Sequence, residues 1–183
     1  MSGLFRRILV PYDFSDFATA ALRVAIDLAE EHHGSLVVLH AIPPLAPIGG
    51  GLTASELPLW IPPEALVSDT RQRLEAQVSR LVGTRRVRFE CWVLVGDPFQ
   101  QIMAAARTSD LIVMATAGRT GLSHLVIGSV AEKVVRHSPA PVLTIRSAVS
   151  GVRKRVERLR RPRREPGSHR KRVPKSRRAP RTI

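Results

Sequence analysis

Leu111-Ile112-Val113-Met114-Ala115-Thr116-Ala117-Gly118-Arg119-Thr120-Gly121 is the stretch on which the fold turns, with Gly128-Ser129-Val130 closing it; nine residues separate Gly118 from Gly128. An apolar run drops into a glycine-bearing loop, and the loop meets a helix predicted to begin at Ser129. Glycines let backbone N–H groups approach a ligand closely, and a helix N-terminus favours negative charge. Together they form a cradle suited to phosphate. The plainer reading is that the glycines only turn the chain.

Working outward, short apolar runs alternate with longer amphipathic ones. Ile8 to Val10 reads as a strand starting near Phe5. Between Asp16 and His32 the apolar residues Ala18, Ala21, Leu22, Ala25, Leu28 and Ala29 keep helical spacing, with Gly34 as the expected stop. Ser35 to Ile42 is a continuous apolar run, the mark of a strand buried on both faces. Pro43 to Pro63 is rich in Pro and Gly and reads as a long loop, a length usually tied to function or mobility. A helix is expected over Glu64 to Val82 with Leu66, Leu74, Val78, Leu81 and Val82 inward, then a strand over Val87 to Val95. Asp97-Pro98 opens the next helix, Asp as N-cap and Pro at the first turn. Leu111 to Ala115 is the fourth strand, Ser129 to His137 a helix, and Pro141 to Arg146 the fifth strand.

This βαβαβαβαβ order predicts an α/β fold, a single doubly wound, five-stranded parallel sheet with helices on both faces. In such sheets a ligand sits at the carboxyl ends of the strands where strand order reverses. Pro11-Tyr12-Asp13 and the Ala115 to Gly128 segment follow the first and fourth strands. They face one crevice if those strands are neighbours, and periodicity does not fix that order.

Charge divides the chain of 183 residues. Residues 1–146 hold 14 of the 29 Lys and Arg and 13 of the 15 Asp and Glu, a net of +1, so residues 147–183 carry +13 of the total +14. We expect a near-neutral domain over 1–146 and a basic tail over 147–183. Gly151 to Arg161 has the pattern of a basic helix, and the Pro- and Arg-rich remainder has little to bury and is expected to be disordered. The single Cys91 lies in an apolar run and is expected to be a buried structural thiol in a reducing compartment. No apolar stretch approaches the roughly 20 residues that span a bilayer. Asp13 and Asp16 come too early for a signal peptide. A soluble, cytoplasmic protein is the expectation.

These residues resemble the universal stress protein family over roughly residues 4–146. The opening Ile8-Leu9-Val10-Pro11-Tyr12-Asp13-Phe14-Ser15 is similar to its first strand and the aspartate after it. Leu39-His40-Ala41-Ile42 and Val95-Gly96-Asp97-Pro98 are similar to its second strand end and third βα turn. The ATP-binding branch carries Gly-x2-Gly-x9-Gly-Ser/Thr; here Gly118, Gly128 and Ser129 match, and Ala115 replaces the first glycine. The resemblance implies a Rossmann-like sheet of strand order 3-2-1-4-5 and binding of an adenine nucleotide, ATP alone or with Mg2+. Carried over by position, Asp13 and Ala41 would lie by the adenosine and Gly118, Gly128, Ser129 and Val130 by ribose and phosphates, with Pro11 and Ala115 also among the nucleotide-binding residues. It further implies a homodimer paired through the last strand. Ala115 fits if its φ is negative and is costly if φ is positive.

Each candidate has a structural alternative. Asp13 is either a turn or N-cap residue or an acceptor for a ribose hydroxyl or adenine amine. Ser129-Val130-Ala131-Glu132 has the spacing of a capping box, which would compete with phosphate for the same N–H donors. Arg119 is either a phosphate contact or a solvated arginine. His40 reads as core. The absence of Gly-x4-Gly-Lys-Ser/Thr excludes a P-loop, and the absence of Ser-Gly-Gly-x-Asp-Ser argues against an ATP pyrophosphatase. With no nucleophile–base pair and no metal-ligand spacing, a binding role rather than an enzyme is expected, slow ATP hydrolysis being left open. Two other functions compete: a dimeric interaction protein with a vestigial pocket, and association of the tail with nucleic acid or another polyanion. Phe99 is the last aromatic residue, so the tail has no means of stacking on bases.

Overall fold

A computed structural model describes residues 5–43, 63–116 and 128–146. The expected order appears: β1 (Arg7–Pro11), α1 (Asp16–His32), β2 (Ser35–Ile42), α2 (Glu64–Val82), β3 (Arg88–Val95), α3 (Pro98–Ala106), β4 (Leu111–Ala115), α4 (Ser129–His137) and β5 (Val142–Ile145). All pairings are parallel, and the five strands lie in the order β3-β2-β1-β4-β5. The chain runs outward from β1 to β3 and then returns to β4 on the other side. β1 and β4 are therefore neighbours at the reversal.

The central strands are apolar on both faces because both are covered. Ile8, Val10, Leu36, Val38 and Val113 pack with α1 and α2 in one core. Leu9, Val37, Leu39, Ile112 and Met114 pack with α3 and α4 in the other. Full burial of each such side chain contributes about 1.5–3 kcal/mol, which drives the packing of helices on both faces of the sheet.

Local chemistry sets the ends of α1. Ser15 accepts the N–H of Ala18 at 3.0 Å. After the helix, His33 rather than Gly34 takes the left-handed conformation, with φ of 54°. The N–H groups of Gly34 and His33 return to the carbonyls of Ala29 and Glu30 and close a Schellman motif. Gly34 is required for another reason: a Cβ there would run into the Phe5 carbonyl. At the amino ends of the strands, the N–H groups of Arg6 and Arg7 both donate to Asp110 Oδ2 at 2.9 Å, which ties β1 to the start of β4.

Three expectations need correction. Leu66 is exposed on α2, and the inward stripe runs instead through Val67, Thr70, Leu74, Val78 and Val82. The spacing of Leu66 to Thr70 and Leu74 fits a helix face, but the face turned to the sheet is centred one residue later. Val87 is buried yet precedes β3. Cys91 is only half-buried, because β3 is an edge strand. The loop over 44–62 and the tail over 147–183 lie outside the described residues. Among the described residues, no helix is long and apolar enough to cross a membrane.

Candidate functional site

A cavity of about 350 Å³ opens at the carboxyl ends of β1 and β4, where the strand order reverses. Seven of the sequence-derived candidates border it: Pro11, Asp13, Ala41, Ala115, Gly128, Ser129 and Val130. Gly118 and Arg119 lie outside the described residues. Leu39, Ile102 and Met114 supply apolar walls, while Asp13, Thr116 and Ser129 supply polar groups. An apolar cleft with a few convergent polar groups is the usual form of a small-molecule site.

The loop after β1 supplies one side. Tyr12 prolongs the β1–β2 pairing by donating its N–H to the Leu39 carbonyl at 2.8 Å. Its hydroxyl meets Thr19 Oγ1 on α1 at 2.9 Å. Asp13 Oδ1 accepts the Ser15 N–H at 3.0 Å, an Asx turn that leads into the N-cap. The structural reading of Asp13 as a turn residue thus holds, and the same residue borders the cavity. His40 is buried, as expected of a core residue, with Nδ1 2.7 Å from the Tyr12 carbonyl oxygen. It also lines the cavity, which the sequence reading missed.

The end of β4 and the start of α4 supply the other side. Ala115 pairs with Ile145 inside the strand, and the non-glycine residues of positive φ among the described residues are Phe14 and His33. The replacement of glycine at this position therefore brings no backbone strain. The Gly128 N–H donates to the Thr116 carbonyl at 2.7 Å, joining the two edges of the loop.

The expected capping box at Ser129 does not form. Gly128 occupies the N-cap position and Ser129 is the first helical residue, with no side-chain cap. The reason is that the Gly128 carbonyl already accepts the Glu132 N–H, at 2.9 Å, which moves the helix start back by one. Glu132 then lies too far along to reach back, and it pairs with Arg136 at 3.0 Å instead. Among the described residues, no side chain caps the first-turn N–H groups of α4, which lie beside the cavity. A helix end of this kind carries about half a positive charge and is suited to an anion.

Thr116, Met114, Ile102 and Pro98 border the cavity as well and were not anticipated. Thr116 carried a signal, since it follows Ala115 in the loop; the other three reach the cavity through packing between elements, which spacing does not reveal. Among the described residues, no group of three or more His, Cys, Asp or Glu is placed to hold a metal ion. Cys91 lies apart from this site, in a groove between α2 and β3. Burial, assisted by the Glu75 carboxylate and opposed by Arg71, pushes its thiol up to about 11.

Comparison with known proteins adds to this geometry. A universal stress protein of Thermus aquaticus is 35% identical over 147 residues, covering 78% of this chain and all of the relative. The solved universal stress protein UspA from Lactobacillus plantarum is similar at 26% identity and a TM-score of 0.61, covering 77% of this chain and 97% of that one. A universal stress protein from Archaeoglobus fulgidus, solved in complex with dAMP, shares the fold at 22% identity and a TM-score of 0.52, over 78% of this chain and 98% of its own. The model of the universal stress protein family matches residues 4–146, the span that builds the sheet and both sides of the cavity, and the chain belongs to that family.

Proposed function

We propose that the cavity binds an adenine nucleotide, ATP in the first instance, and that the protein acts in the cytoplasm as a sensing or regulatory module of a stress response. The observation that carries this reading is the pairing of two features across one apolar cleft: the Asp13 carboxyl group on one side and the uncapped N-terminus of α4 on the other. Asp13 would accept from a ribose hydroxyl or the adenine amine. The first-turn N–H groups of α4, with Ser129 and Thr116, would face phosphate. Gly118 and Arg119 would complete the phosphate side. Any Mg2+ would be held chiefly by phosphate oxygens, since Asp13 is the one carboxylate among the described lining residues. No residue of the site is assigned a catalytic role, and binding without efficient turnover is the reading.

Mass analysis of nucleotide released from freshly purified, denatured protein tests it directly. Calorimetry should show ATP binding to the wild type and its loss in Gly118→Val. If neither protein binds ATP at millimolar concentration, the nucleotide reading is wrong and a dimeric interaction role takes its place.

Two further features belong to this proposal. β5 is an edge strand with β4 on one side only, and Leu143 is exposed on it. An exposed apolar edge invites pairing, and we assign a homodimer to it. A chain ending near Ser147 should scatter light as a dimer, and a monomer at high micromolar concentration refutes the assignment. The charge asymmetry favours a separate role for residues 147–183, which carry +13, as a basic appendage that associates with nucleic acid or another polyanion.

A further inference from the structure

The loop that bears Asp13 contains a second unusual residue. Phe14 has φ of 66°. This is left-handed backbone, where the Cβ crowds the following carbonyl, and a bulky side chain seldom adopts it. Such a conformation persists only where its surroundings over-determine it. Those surroundings are well defined. The Phe14 ring meets Tyr12 edge to face at 5.3 Å and His40 at 4.9 Å. The guanidinium of Arg73, from α2, lies over the ring 5.3 Å from its centre. Tyr12 and His40 are themselves anchored, the first to Thr19 and Leu39 and the second to the Tyr12 carbonyl. Glycine would take the same backbone without strain. The ring therefore has a task that glycine would not perform.

We infer that Phe14 is a positioning residue. Its ring, lodged against Tyr12 and His40, holds the loop so that the Asp13 carboxyl group borders the cavity, and Arg73 seats the ring from outside. The inference rests on the nucleotide reading only for what the loop is positioned to bind. It ties α2, which contributes no described residue to the cavity lining, to the acid of the site through one aromatic side chain.

Amide hydrogen exchange on the full chain tests this, with the Ser15 N–H as reporter, because it donates to Asp13 Oδ1. The buried amides of Val38 and Ile112 report on global stability. Phe14→Gly should accelerate Ser15 exchange about tenfold relative to those amides. Arg73→Ala, at an exposed position, should accelerate it about two- to fivefold, the scale of an exposed cation–π contact. Arg73→Lys, which keeps a cation, should restore part of the protection. A wild-type Ser15 rate in Phe14→Gly overturns the inference. ATP titration of the same samples should show affinity falling in the same order. Accelerated exchange with unchanged affinity overturns the positioning role. If the wild type binds no adenine nucleotide, the functional reading fails, and the exchange rates still decide whether Phe14 holds the loop.

Discussion

Replacing Gly128 with serine should make the protein more stable and a poorer nucleotide binder. The structure supplies its own controls. Ser15, at φ −73° and ψ 160°, caps α1 through the Ala18 N–H, and Asp97, at φ −61° and ψ 124°, caps α3 through the Gln100 N–H, both at 3.0 Å. Gly128 has nearly the same backbone, φ −60° and ψ 146°. Among the described residues a Cβ there would meet only the Thr116 carbonyl, at 3.4 Å. Nothing among them demands glycine at this position. Removing its unfolded-state freedom contributes about 0.4–1 kcal/mol, and a hydroxyl cap adds a few tenths. For a domain of this size each kcal/mol raises Tm by about 2–4 °C, so a rise of roughly 1–4 °C is expected in thermal melts. The same hydroxyl would take the Ala131 N–H, one of the donors assigned to phosphate. A hydrogen bond to a charged group is worth about 1.5–3 kcal/mol, so ATP affinity by calorimetry should fall roughly tenfold or more. A higher Tm with undiminished affinity would refute the assignment of phosphate to the α4 N-terminus. A lower Tm would refute the account of the cap.

Asp13→Asn keeps an oxygen for the Ser15 N–H but removes the charge; Tm should change little, while ATP binding should weaken about tenfold, the difference between a charge-assisted and a neutral hydrogen bond. An unchanged Kd would remove Asp13 from the site. With its thiol raised to about 11, Cys91 should react slowly with iodoacetamide at pH 8 in the native protein and faster once unfolded. The native state keeps this proton after the unfolded thiol has lost its own, so the contribution of Cys91 to stability is full below about pH 9 and declines as pH rises towards 11. A native labelling profile with its midpoint near pH 9 contradicts the burial argument. Deleting residues 148–183 should leave the melting temperature almost unchanged and abolish retention on heparin or duplex DNA at low salt. In the full chain DNA affinity should fall steeply with salt and be indifferent to base sequence. Equal DNA binding by the truncated domain, or its unfolding, would end that account of the tail.

Much of the fold was legible because its signals are local. Both ends of α1, β2 and α2, and the limits of β4 and α4, follow from where apolar spacing starts and where Ser, Pro and Gly interrupt it. Strand order is different. The placement of Ile8 beside Leu111 joins residues far apart in the chain, and no spacing encodes it; only the family resemblance implied it. The site shows the same division. Gly128, Ser129 and Ala115 stood out from a glycine pattern, whereas Ile102 and Met114 enter through packing of α3 against the sheet. The N-cap of α4 was misplaced by one residue because Ser-x-x-Glu is a sound capping signal on its own. It lost to Gly128, whose carbonyl takes the first helical bond from Glu132 and whose N–H is tied to Thr116 across a loop.

The two ends of the sheet are built to different ends. At the amino ends of the strands, Asp110 gathers two N–H groups, Gly34 lets β2 approach Phe5, and a Schellman motif closes α1. Each feature there serves stability. At the carboxyl ends two local rules are broken. Position 128, where serine would cap a helix, holds glycine. Position 14, where glycine would relax the backbone, holds phenylalanine. A chain shaped by helix capping and backbone strain alone would have serine at 128 and glycine at 14. Departures of this sort are expected where function competes with stability. One of these residues borders the cavity and the other adjoins its carboxylate, from loops that follow different strands. Packing against Tyr12 and His40 occupies the Phe14 ring, and no contact among the described residues requires glycine at 128. The proposed nucleotide, which needs open N–H groups on one side and a firmly held acid on the other, would account for both.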